Sequence, residues 1–169
     1  IAVAGAQGSL RAVLIALALI LVSLGLLCVL AELGRPWRSM NVIFNPRTSW
    51  MSREAALAPL LLGSGALALF GVTAAMPLAA LLALAFGYCQ ARIVQAAKGI
   101  PAWREPLTVP LLVATGLSEG AGLFWLFAPS WGQGTQVLWV AFGGLLAVRF
   151  ALGVLWFRRL ALSLQPGPL

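Results

Sequence analysis

The sequence contains no histidine and no aspartate, and its only acidic residues are Glu32, Glu54, Glu105 and Glu119. Without histidine the chain cannot bind a bis-histidine haem or a histidine-ligated metal. Cysteine is nearly absent as well. Cys28 and Cys89 lie singly in apolar segments, lack metal-ligand spacing and read as small core residues. The expectation is therefore no haem and no metal in this chain. Charged residues make up 9% of the sequence, against about a quarter in an ordinary soluble domain. A charged leader segment is also missing at Ile1, so no signal peptide is expected, and the numbering is expected to cover part of a longer polypeptide.

What remains is mostly hydrocarbon. Of 169 residues, 62% are hydrophobic, and the mean hydropathy is +0.99. The expected class is all-α: a polytopic transmembrane helix bundle forming a single integral membrane domain over residues 1–169. The net charge of +7 does not suggest nucleic acid, because the basic residues cap hydrophobic runs and form no solvated patch.

Spans need roughly 20 apolar residues. Five are expected, near residues 12–31, 55–72, 77–97, 107–128 and 136–157. Residues 1–10 are too short to span and read as the end of an earlier helix. Gly34 and Pro36 stop the first span, and Gly99 with Pro101 opens a short loop after the third.

The one long polar segment is Leu33 to Glu54, LGRPWRSMNVIFNPRTSWMSRE. Pro36 and Pro46 deny it a regular helix. Arg35, Arg38, Arg47 and Arg53 alternate with Trp37, Met40, Val42, Ile43, Phe44, Trp50 and Met51. That pattern suits a membrane surface, with rings in the headgroup layer and guanidiniums toward water or a partner. If the chain changes sides at each span, this loop shares a side with Lys98, Arg104, Arg158 and Arg159, while the opposite side holds Arg11 alone. The positive-inside rule then places the loop in the cytoplasm.

Polar residues inside the spans are the candidate functional groups. Glu119 lies roughly 18 Å and Arg149 roughly 13 Å from the charged side. Their similar depth suggests an intramembrane ion pair. It either locks two helices or serves function. Tyr88 and Arg92 are four apart and share a face of the third span. Either Arg92 snorkels to the surface, or the two line a polar cleft in which Tyr88 offers its hydroxyl to a carbonyl. Glu32, Arg38, Glu54, Tyr88, Arg92 and Glu119 all fall in the half of the membrane nearest the long loop. A quinone pocket needs such a one-sided cluster. Donors hold the headgroup carbonyls, carboxylates lead protons to water, and the isoprenoid tail takes an apolar groove.

The stretch ELGRPWRSMNVIFNPRTSWMSREA (Glu32 to Ala55) resembles the signature loop of the membrane anchor subunits of DMSO-reductase-type enzymes, the DmsC/NrfD-like family. ARIVQAAKGIPAWREPLTVPLLVATGLSEGAGL (Ala91 to Leu123) is similar to the branch serving phenylacetyl-CoA:acceptor-type oxidoreductases. The resemblance covers roughly residues 20 to 125. It implies an all-helical anchor, often of eight spans, in a bacterial or archaeal cytoplasmic membrane. It implies no cofactor in this chain. Molybdopterin and iron–sulfur clusters would sit in partner subunits, and menaquinone or ubiquinone would be the exchangeable substrate. Family quinol-site residues are a histidine before the LG of the LGxP motif, an arginine after it and a glutamate at the end of the loop. Arg38 and Glu54 match the last two. Glu32 stands at the histidine position, and that departure bears on the proton path, since a glutamate donates only when protonated.

The expected roles follow. Arg38, Tyr88 and Arg92 hold the quinone headgroup. Glu54 and Glu32 carry protons. Arg35, Arg47 and Arg104 dock the iron–sulfur subunit. Two rivals stay open: a small transporter or channel with Glu119 and Arg149 as its midplane site, and a passive anchor with no quinone site.

Overall fold

In a computed structural model, the chain is described over residues 2–32, 41–42, 47, 49–127 and 135–163. These form five α-helices: α1 Ala2–Glu32, α2 Trp50–Leu69, α3 Ala75–Ala96, α4 Thr108–Phe127 and α5 Thr135–Ser163. A 3-10 turn, Pro101–Arg104, precedes α4. No strand occurs among the described residues, and the all-helical, polytopic class is as the composition requires.

Helix ends depart from expectation where local chemistry differs from hydropathy. α1 runs on through the first ten residues instead of following a separate segment. That stretch holds no proline and no charged side chain, so nothing stops it. α2 begins five residues early because Ser49 caps it. Ser49 is extended (φ −110°, ψ 125°), and its hydroxyl accepts the Ser52 N–H at 3.3 Å. The same helix ends early, at a Schellman turn. Gly71 takes φ +95°, Val72 N–H reaches the Leu67 carbonyl at 3.0 Å, and Gly71 N–H reaches Ala68 at 3.1 Å. α5 continues beyond 157, since neither glycine nor proline appears before Pro166.

Four stretches are long and apolar enough to cross a membrane: Gly8–Glu32, Ala75–Ala96, Thr108–Leu126 and Gln136–Leu162. α2, expected as a fifth span, is not among them. Its 20 residues reach roughly 30 Å, a full hydrocarbon thickness. However, Arg53, Glu54, Pro59 and the Gly63-Ser64-Gly65 run dilute its hydropathy. Its burial explains why this is tolerated. Ser52, Ala58, Leu61, Ser64, Gly65 and Ala68 of α2 are all buried, so neighbouring protein surrounds that face.

The chain packs as two units, Ile1–Gln90 and Ala91–Leu169. In the first, Ala58 and Leu61 of α2 meet Phe86 of α3, with Val22, Leu26, Leu57 and Leu82 around them. Buried polar residues throughout are small (Ser52, Ser64, Thr108 and Ser118), whereas Phe70, Val140 and Phe150 are largely exposed. An interior rich in alanine, serine and threonine with a bulky apolar exterior suits lipid, where close backbone approach and hydrogen bonding, rather than water exclusion, hold helices together.

At Gly65 the backbone of α2 lies directly against a side chain of α1. A Cβ there would lie 2.6 Å from Leu19 Cδ2, whereas one on Gly63 would meet nothing within 4 Å. Gly65→Ala needs only a small movement of the Leu19 side chain. Gly65→Phe is expected to destabilise the protein by about 1–3 kcal/mol, with Gly63→Phe close to neutral. Unfolding titrations of the two variants in mild detergent measure the difference.

Candidate functional site

In the first unit the polar chemistry gathers where the start of α2 meets the second half of α3. The Ser49 cap fixes the first turn of α2, so Trp50 and Glu54, four apart, share a face toward α3. Gln90 donates its amide to Glu54 Oε1 at 3.1 Å. The Trp50 and Tyr88 rings meet edge to face, with centroids 5.7 Å apart at 80°. Arg53 lies 4.1 Å above the Trp50 ring and donates from Nη2 to the Arg47 carbonyl at 2.9 Å. Arg53 therefore ties the end of the long loop to the helix it enters.

Chemically this is a carboxylate with one oxygen held and one available. Glu54 Oε2 has no partner among the described residues. A neutral amide orients Glu54 without cancelling its charge. Tyr88 is 44% exposed, and its hydroxyl has no partner among the described residues. A half-exposed carboxylate on α2 and a phenol on α3, each beside Trp50 or its next turn, can accept and offer protons to a polar group.

The remaining expected residues distribute as follows. Glu32 is the last residue of α1 and is exposed. Arg35 and Arg38 lie outside the described residues. Arg47 is exposed. Arg92, in the second unit, donates to Gln95 Oε1 at 2.6 Å, and Gln95 in turn donates to the Glu105 carbonyl at 3.4 Å. Arg104 is exposed and donates to the Lys98 carbonyl at 3.1 Å. No group of three or more metal-ligating side chains occurs among the described residues.

Glu119 and Arg149 are placed differently from the expected pair. α4 and α5 run antiparallel in a fixed register. Trp156 Nε1 donates to Thr108 Oγ1 at 3.0 Å, and Arg149 Nε donates to Thr115 Oγ1 at 3.3 Å. Seven residues forward on α4 match seven residues back on α5. The same register, three residues further out, sets Arg159 against Glu105 at 3.4 Å. That is the one ion pair among the described residues. In this register Glu119 sits one turn past the residue that Arg149 meets. A depth difference of about one turn is enough to keep the two apart.

Sequence reasoning overlooked Gln90, Trp50 as the partner of Tyr88, and the Glu105–Arg159 pair. One signal was available for Gln90: a long amide inside an apolar helix usually marks a bond to another helix.

A family model for the DMSO reductase anchor subunit (DmsC) matches residues 5–163. No curated protein matches the chain, and no solved structure matches it.

The α4–α5 register can be tested by double-mutant cycles. Arg149→Met and Thr115→Val are expected to couple by about 0.6–1.7 kcal/mol, the range for intramembrane hydrogen bonds. Arg149→Met and Glu119→Gln are expected to add. Unfolding in detergent mixtures reads both cycles, and the opposite pattern would restore the ion pair.

Proposed function

Because the chain belongs to the DMSO reductase anchor subunit (DmsC) family, we propose that it anchors a molybdopterin and iron–sulfur oxidoreductase in the membrane and exchanges electrons and protons with membrane quinone. The observation that carries the quinone step is the Glu54 carboxylate, oriented by Gln90, with one oxygen available beside Trp50 and Tyr88.

Oxidation of a quinol releases two electrons and two protons. Glu54 accepts a proton at its available oxygen and passes it toward water along the long loop, with Glu32 as second carboxylate. Tyr88, Arg38 and Arg92 hold the headgroup oxygens, since a phenol and guanidiniums donate to carbonyls. The two electrons leave to the iron–sulfur subunit, docked on Arg35, Arg47 and Arg104, whose charges suit an acidic partner surface. Quinone reduction uses the same groups in reverse. The clusters and the molybdopterin belong to the partner subunits. The excess of arginine in the loop supports a cytoplasmic location for it, and a thioester substrate in the cytoplasm suits the branch that Ala91 to Leu123 resembles.

A passive anchor would make Glu54 dispensable, and a transporter would work without partner subunits. Glu54→Gln keeps the shape and the Gln90 contact but cannot carry a proton. It is expected to leave the complex assembled, with activity toward a soluble dye intact, and to lower quinone-linked turnover by about 100-fold or more. Assays of both activities on one preparation check this, and unchanged quinone turnover would remove Glu54 from the mechanism.

A further inference from the structure

The second unit holds an open groove of about 1020 Å³ between α4 and α5. Its walls are apolar: Leu111 from α4, and Phe150, Val154 and Phe157 from α5, with Gly153 forming the floor. The polar groups lining it are Thr115, Arg149 and Arg158. There is no acid in the lining. Arg149 turns its Nε onto Thr115 at the inner end. Arg158 has no hydrogen-bond or ion-pair partner among the described residues.

We propose that this groove binds an anionic phospholipid, with its phosphate on Arg158 and one acyl chain lying inward along Gly153 and Phe150. Charge complementarity selects the occupant. Glu105, the only acidic residue at that end of the unit, is already taken by Arg159, while Lys98, Arg104 and Arg158 remain uncompensated. Basic pockets between transmembrane helices are established sites for anionic headgroups. The geometry agrees. Arg149 and Arg158 are nine residues apart on one helix, roughly 13 Å, which leaves an apolar track between them. A zwitterionic lipid or a neutral isoprenoid would use the track but gain nothing from Arg158. At the inner end the alkyl stem of Arg149 flanks the chain while its head stays with Thr115.

The membrane complex containing the whole chain is equilibrated in micelles holding equal phosphatidylglycerol and phosphatidylcholine of identical acyl chains. Retained lipid is then measured by native mass spectrometry. The wild type is expected to keep phosphatidylglycerol about fivefold in excess, the preference one interfacial arginine supplies. Arg158→Gln loses the preference, and Arg158→Lys keeps it. Gly153→Phe fills the groove, since a Cβ there already lies 3.9 Å from Leu111 Cδ1, and it loses retention of both lipids. Arg158 is exposed, so Arg158→Gln decides the matter even if Gly153→Phe fails to assemble. Equal retention by the wild type, an unchanged preference in Arg158→Gln, or retained isoprenoid quinone in place of phospholipid overturns the proposal.

Discussion

In hydrocarbon a polar side chain has no water to turn to, so its partner must come from its own helix or the next one. Much of the structure follows from that constraint. Ser64 and Ser118 return their hydroxyls to carbonyls three and four residues back, at 3.0 and 2.7 Å. Gln90, Thr108 and Thr115, with longer reach or a facing neighbour, bond across helices instead. The crossing bonds then fix which residues face each other. In the second unit they set the α4–α5 register, and in the first they bring Glu54 to α3.

The same constraint explains how much could be read from the sequence. Helix number and type follow from apolar run length, which is a local property. Boundaries follow from caps. Ser49 acts through its hydroxyl and Gly71 through its positive φ, neither of which hydropathy registers, so hydropathy alone misplaces both ends of α2. The extended α1 shows the complementary case, in which a stretch poor in bulky apolar residues remains helical because nothing interrupts it. Contacts between helices are harder. Glu119 and Arg149 lie at similar depths, roughly 18 and 13 Å from the charged side, and that difference of about one turn is enough to set Arg149 on Thr115 instead.

The candidate site was legible in part, for the same reason. Glu54 could be picked out because a carboxylate at the edge of a membrane span is costly unless it is used or paired. Tyr88 could be picked out because it shares a face of an apolar helix with Arg92, four residues on. Gln90 signals, as an amide inside an apolar helix, a bond to some other helix, but its partner Glu54 is visible only once α2 and α3 are packed. An amide in that position has a consequence that an arginine would not. A guanidinium would pair with Glu54 charge for charge, whereas the amide holds one carboxylate oxygen and adds no charge beside it.

The distribution of arginine makes the complementary point. Arg53 has its face on Trp50 and a nitrogen on the loop backbone, and Arg159 has Glu105. Both are occupied in holding the fold. Arg158, beside Arg159 in sequence, points to the other flank of α5 and into an apolar groove with no protein anion. Adjacent positions on a helix diverge by about 100°, so one residue of a basic pair can serve packing while its neighbour remains free for an outside anion. A pair of arginines at the end of a span is thus two different instruments, and the antiparallel register of α4 against α5 decides which is which.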